Sequence, residues 1–321
     1  MRALKRGVLN VKNEITKKFD FIKIGKYSVS NKLFLDLVFN NKCNHNCKFC
    51  IARTKTYGKD DFEKWKRSLS KTLRVFKGYI ESIIILGGES TIDPNFFAKL
   101  KHIDNETKDK HIFTILTTNG YMLKNEDFLQ KVASSSIDSI NISVMNYNHD
   151  INNYLMGANT LTRDDLKHIY DVFHSHGKTI RFNTNVAKNN LNSIEEMENY
   201  IKYFKGCFDA IKFTPLMKTD MFDTVDSVLQ YTHEYAMSKE EIKELFDKFA
   251  NKHIKNYHNS KVFGFINYAD LTVFDEHVIL KYEQIEDMYD LDTVIPTLKL
   301  YPNGNLSNEW DYKKNILNDF K

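Results

Sequence analysis

Apolar residues along this chain follow two alternating rhythms. Six short runs rich in leucine and β-branched residues read as strands: residues 33–39 (LFLDLVF), 79–86, 111–120, 137–145, 179–187 and 209–216. Between them, residues 62–77, 93–103, 125–135, 162–178 and a stretch opened by Ser193 carry apolar positions at helical spacing. Thr162 with Asp165 and Ser193 with Glu196 are placed as helix N-caps, and Gly177 as a helix stop. Strand alternating with helix implies parallel strands joined by right-handed crossovers, and near-continuous apolar runs imply burial on both faces. The expected class is α/β, as an open doubly wound sheet or a partial barrel of the TIM kind; both bind ligands at the C-terminal ends of their strands.

The residues that break the apolar pattern lie at those ends. Cysteines follow the first strand, Gly87-Gly88-Glu89 the second, TTNG (117–120) the third and SVMN (143–146) the fourth. Beyond Pro215 the rhythm changes. Residues 217–237 read as loop with some helix, and a helix follows with Ser238 and Glu241 as its capping box. Residues 262–268, 271–280 and 297–310 read as short antiparallel strands, the last turning at Asn303-Gly304. The expected division is an N-terminal extension (1–30), a core barrel (31–217) and a C-terminal α+β extension (218–321) that caps the barrel mouth.

Composition narrows the possibilities. With 321 residues, 42% hydrophobic and 27% charged, the chain has the make-up of a soluble globular protein. No apolar run reaches the roughly 18 residues a membrane span needs, and residues 1–18 lack the apolar segment of a signal peptide. A net charge of +4, spread without a basic block, gives no sign of nucleic-acid binding. Four cysteines, with Cys207 alone, point to a reducing cytoplasm.

The other three cysteines, Cys43, Cys47 and Cys50, sit within FNNKCNHNCKFC (39–50) at CxxxCxxC spacing. Soft thiolates on one loop select zinc, copper(I) or iron–sulfur. One reading is a structural zinc knuckle completed by His45 or Cys207. That reading lacks the second cysteine pair usual for zinc, and His45 between two of the cysteines makes a closed tetrahedron awkward. The other reading is a cubane [4Fe–4S] cluster with one iron left open.

At these residues the sequence resembles the radical S-adenosylmethionine (radical SAM) enzymes. They carry CxxxCxxC after the first strand of a partial (β/α)6 barrel, an aromatic before the last cysteine (here Phe49) and a GGE-type turn after the second strand. The resemblance covers about residues 31–217 and implies a TIM-like partial barrel. It further implies a [4Fe–4S] cluster on Cys43, Cys47 and Cys50, with S-adenosylmethionine chelating the fourth iron. One electron then cleaves the cofactor to methionine and a 5′-deoxyadenosyl radical that abstracts hydrogen from a substrate. Gly87 and Gly88 are expected to meet the methionine ammonium with Glu89 in support, and the hydroxyls of Thr118 and Ser143 to meet its carboxylate or ribose. Arg181 and Asn183 share one face of their strand, which is either the barrel interior, facing the cofactor carboxylate, or a solvent face. Phe213 and Leu216 read as core or as an adenine contact, and His149 (loop) and His174 (helix) as surface.

The substrate is less legible. No cysteine follows Cys207, so an auxiliary cluster is not expected. CNHNCKFC is similar to the loop of the single-cluster nucleotide dehydratases (viperins), without a match beyond the third strand. The hairpin at 297–312 is similar in position to the C-terminal cluster-binding part of molybdenum-cofactor relatives, and could offer Trp310 or Tyr312 to a substrate. Three hypotheses follow: an enzyme acting directly on a small molecule, nucleotide or peptide, with an electron donor such as flavodoxin or ferredoxin; an activase that plants a glycyl radical on a partner enzyme; and a non-catalytic zinc-binding interaction protein.

Overall fold

The computed structural model describes residues 21–53, 58–108, 112–220, 224–253, 257–263, 266–282 and 294–320. Residues 1–20 of the expected N-terminal extension, His111 of the third expected strand and residues 264–265 lie outside the described residues. β1 (Phe21–Ile24) pairs antiparallel with the start of β2 (Tyr27–Val38), so β2 begins before the expected core boundary. From β2 the chain alternates as expected through α1 (Phe62–Val75), β3 (Ile80–Leu86), α2 (Phe96–Thr107), β4 (Phe113–Thr118), α3 (Glu126–Ala133) and β5 (Ser139–Ser143). It continues through α4 (His149–Met156), α5 (Arg163–Ser175), β6 (Thr179–Val186), α6 (Ile194–Phe204) and β7 (Ala210–Pro215). β2 to β7 are neighbours in chain order and all parallel, a partial (β/α)6 barrel that does not close.

Local chemistry explains most helix boundaries. The capping boxes at Thr162/Asp165 and Ser238/Glu241 both form, and Ser193 caps α6. α4 was not expected. Asn148 caps it by accepting from the amides of Asp150 and Ile151, and Gly157 ends it at φ +59°. Helical periodicity is hard to see in eight residues containing two asparagines.

The C-terminal extension holds α7 (Asp226–Tyr235), α8 (Lys239–Lys252), β8 (Tyr257–Phe263), β9 (Ile266–Val273), β10 (Glu276–Lys281), β11 (Val294–Leu300) and β12 (Leu306–Ser307). Short antiparallel strands form as expected (β8–β9, β9–β10 and β11–β12), the last pair through the turn at Asn303-Gly304. Their bounds differ: the expected strand 271–280 is the end of β9 and the start of β10, turning at Phe274-Asp275, both at positive φ, and the expected strand 262–268 spans the end of β8 and the start of β9. β10 also joins β7 in parallel and β11 joins β2 in parallel, so the extension lengthens the sheet at both edges. The reason is physical. β2 and β7 would otherwise present unpaired backbone groups. Val278, Leu280, Leu298 and Leu300, all with no exposed surface, continue the barrel's core.

Side chains sort by face. Phe182 of β6 packs on Phe204 and Phe208, and Phe213 of β7 on Tyr200 and Phe249, so these positions face the helices. By strand alternation Arg181, Asn183, Lys212 and Thr214 face the concave side.

If β11 belongs to the barrel core, Leu298→Ala should destabilise the whole chain by about 2–5 kcal/mol. Urea unfolding followed by circular dichroism should then show one transition at a lower midpoint. A separate early transition that leaves the barrel midpoint unchanged would contradict this placement.

Candidate functional site

β2 delivers the chain to a loop at the C-terminal edge of the sheet, and the turn after β3 lies directly on it. The amide of Gly88 donates to the Asn40 carbonyl at 2.9 Å, and the amide of Glu89 to the Lys42 carbonyl at 2.6 Å. A Cβ on Gly87 would fall 2.6 Å from the Asn40 carbonyl oxygen, and one on Gly88 2.1 Å from that of Lys42. Backbone approach this close admits no side chain, which is why both positions are glycine. The buried Asn40 ties the segments together: its Nδ2 donates to the Glu89 carbonyl at 2.9 Å and its Oδ1 accepts from the Lys42 amide at 2.7 Å.

Glu89 is only 2% exposed and its carboxylate accepts four hydrogen bonds. Oε1 accepts from the Thr91 amide (3.1 Å), the Thr91 hydroxyl (2.6 Å) and the Thr118 hydroxyl (2.6 Å); Oε2 accepts from the Asn119 amide (2.7 Å). Burial pushes the carboxyl pKa up, and these donors oppose the shift. The Thr118 hydroxyl, expected to face a cofactor, is thus engaged with Glu89 and also accepts from the Gly120 amide at 3.0 Å. The Asn119 side chain donates to Asn44 Oδ1 at 2.8 Å and lies 3.9 Å from Cys43 Sγ, linking the turn after β4 to the cysteine loop. Beneath the loop, the buried ammonium of Lys99 bonds the Phe39 carbonyl and, at 2.6 Å, Asp93.

The three cysteines are free thiols. Burial pushes Cys43 up to about 11 and raises Cys47 and Cys50 as well; neighbouring thiolates add to the rise at Cys43 and Cys47, while the Arg53 cation opposes it at Cys47 and Cys50. α4 holds the loop from the other side. The Asn46 and Lys48 amides donate to the Met156 and Leu155 carbonyls (3.2 and 3.0 Å), and Met156 Sδ lies 3.8 Å from Cys47 Sγ.

A single zinc ion does not suit this arrangement. Among the described residues no three His, Cys, Asp or Glu side chains converge closely enough to hold one metal ion. Cys207 precedes β7, at the opposite edge of the parallel sheet, and is buried in the main core. His45 is buried and packs edge-on to Tyr121, and neither ring nitrogen has a hydrogen-bond partner among the described residues. Three thiols on one loop, without a fourth protein ligand among the described residues, fit a cluster wider than one ion.

The remaining expected residues are spread through the fold. Ser143 ends β5 and is the register partner of Asn183 on β6; Arg181 lies deeper and pairs with Asn141. Phe49 packs on a small apolar cluster of Met145, Leu155, Met156, Ala187, Leu216 and Tyr231 at the strand ends. α7 lies across the same place. The Val225 amide donates to the Arg53 carbonyl, the Lys188 amide to that of Tyr235, and Tyr231 hydrogen-bonds Asn189. Trp310 lies under the Lys299 ammonium at 5.0 Å, and Tyr312 packs edge-on to Tyr301. His149 opens α4, where a loop was expected, and His174 is exposed on α5 and pairs with Asp209. Sequence reasoning missed Asn40, Asn119, Lys99 and Lys212. Asn119 alone left a trace, as the asparagine of TTNG.

Comparison with known proteins agrees with this geometry. Residues 37–201 match the model of the radical SAM superfamily. An S-adenosylmethionine-dependent nucleotide dehydratase of Selenomonas ruminantium is 26% identical over 167 residues, which is 51% of this chain and 59% of that protein. A protein of Methanocaldococcus jannaschii named as a glycyl-radical enzyme activating enzyme is 29% identical over 192 residues, 58% of this chain and 68% of its own. Among solved structures, SuiB of Streptococcus suis bound to S-adenosylmethionine shares the fold with a TM-score of 0.59 at 17% identity, over 87% of this chain and 60% of that one. The chain therefore spans about three-fifths of the first of these relatives and of SuiB. The family match takes in half of the chain, including all three loop cysteines and the GGE turn, and the chain belongs to the radical SAM superfamily, enzymes that use a [4Fe–4S] cluster and S-adenosylmethionine.

Proposed function

We propose that this chain cleaves S-adenosylmethionine reductively and turns the resulting radical on a substrate held against the concave face of its own barrel. The observation that carries the reading is the buried Glu89 carboxylate, which joins the turns after β3 and β4 beside the cysteine loop. Cys43, Cys47 and Cys50 would hold the cluster, and Arg53 would offset part of its negative charge. When bound, the cluster supplies the electron that splits S-adenosylmethionine into methionine and a 5′-deoxyadenosyl radical able to abstract hydrogen from substrate. The remaining work belongs to the protein. Gly87 and Gly88 keep backbone carbonyls bare of side chains for the methionine ammonium. Glu89, supported by Thr118 and Asn119, fixes that turn, while Ser143 and Asn183 offer polar groups below it. Phe49 and its apolar neighbours exclude water.

The C-terminal extension acts as the cap in this reading. α7 bridges Arg53 and the loop after β6, and β10 and β11 protect the two edges of the sheet. A covered mouth favours direct action on a small molecule over insertion of a partner's glycyl-radical loop. The likeness to a nucleotide dehydratase supports a nucleotide within that class. An electron donor such as flavodoxin or ferredoxin and a reducing cytoplasm suit three free thiols.

Anaerobic reconstitution followed by S-adenosylmethionine and dithionite should yield 5′-deoxyadenosine with about four irons per chain. A variant with Cys43, Cys47 and Cys50 all replaced by alanine should yield none. Zinc retention without 5′-deoxyadenosine would overturn the reading. Gly88→Ala should leave far-ultraviolet circular dichroism intact while lowering iron loading several-fold, because its Cβ would displace the Lys42 carbonyl. Full loading in that variant would show that the turn and the loop are not mechanically joined.

A further inference from the structure

We propose that Arg181 and Lys212 form an anion-binding site deep on the concave face of the barrel, and that it takes a phosphate-bearing small-molecule substrate. The inference rests on the functional reading above and assigns the chemical class of the substrate. The two residues occupy neighbouring strands. Arg181 pairs in register with Ala210 and Asn183 with Lys212, so the two cations sit diagonally on one face. Each is the third residue of its strand, roughly 10–16 Å below the edge that carries the cysteine loop at about 3.3 Å per residue.

Nothing among the described residues neutralises them. Arg181 Nε and Asn183 Oδ1 are buried without a hydrogen-bond partner. The charged neighbours of Lys212 are two more cations, Arg181 and Lys281, and burial holds its ammonium well below the usual lysine range. The neighbour of Arg181 is the Tyr268 phenol. The acid on that stretch of β9, Asp270, faces Tyr268 and pairs with His277 at 3.4 Å.

Holding two like charges side by side and half-buried is costly unless something of opposite sign arrives. A structural role gives no reason for them, since an apolar residue at either position would stabilise the sheet. A ligand does. A phosphate group carries enough charge to offset two cations, and a guanidinium fork beside an ammonium matches its oxygens. One carboxylate would leave one cation uncompensated.

The test uses the full reconstituted chain and inorganic pyrophosphate as probe, by thermal shift and titration calorimetry at fixed ionic strength, with acetate as the single-carboxylate control. Pyrophosphate should raise Tm and bind at least tenfold tighter than acetate. Arg181→Met and Lys212→Met should each weaken pyrophosphate binding at least tenfold while raising the Tm of the ligand-free protein. Equal binding of acetate would overturn the phosphate assignment. Undiminished pyrophosphate binding by both variants, absence of binding by the native chain, or a lowered ligand-free Tm in the variants would overturn the site. No reductant or S-adenosylmethionine is present, so failure here is distinguishable from failure of the radical reading, which the 5′-deoxyadenosine assay decides.

Discussion

A buried carboxylate with four donors is the constraint on which the site depends. Glu89 receives hydrogen bonds from its own turn and from the turn after β4, and its backbone amide and carbonyl are bound by the cysteine loop. Three successive strand ends are thereby held in one arrangement. Removing any donor leaves a buried acceptor short of a partner, at a cost of about 1–3 kcal/mol. Gly87 and Gly88 serve the same end by letting the backbones of the turn and the loop touch. The cysteines are thus placed by a framework and not by the metal alone, which suits a site that must present one iron to a second ligand.

The order of chemistry from edge to interior follows from the parallel sheet. Cysteines, the GGE turn and the apolar cluster around Phe49 share the C-terminal edge, where α7 crosses from Arg53 to the loop after β6. Polar and cationic residues line the concave face below. A radical generated at the edge would meet a substrate held beneath it, away from solvent. The extension adds β10 and β11 to the two edges of the barrel, so extension and core share one sheet.

Much of this was legible in the sequence because its signals are local. Strand alternation, the capping boxes, CxxxCxxC and GGE all lie within short windows, and so does the turn at Asn303-Gly304. What was missed depends on partners distant in sequence. Asn40 is an ordinary asparagine until the turn at Glu89, 49 residues later, folds onto it. Thr118 reads as a strand-end hydroxyl, and its bond to Glu89, 29 residues earlier, has no local signal. Lys212 is a single charge in an apolar run, and only the register of β6 against β7 sets it diagonal to Arg181. The parallel joining of β11 to β2 has no local signal at all, because it depends on which edge is left unpaired.

The central claim is that three cysteines hold four irons and leave one open to S-adenosylmethionine. Mössbauer spectroscopy of the protein reconstituted with 57Fe tests it most directly. The account predicts a cubane spectrum in which S-adenosylmethionine alters about one quarter of the iron signal and leaves the rest unchanged. A spectrum of isolated iron ions, or a cubane whose irons are all indifferent to S-adenosylmethionine, would contradict it.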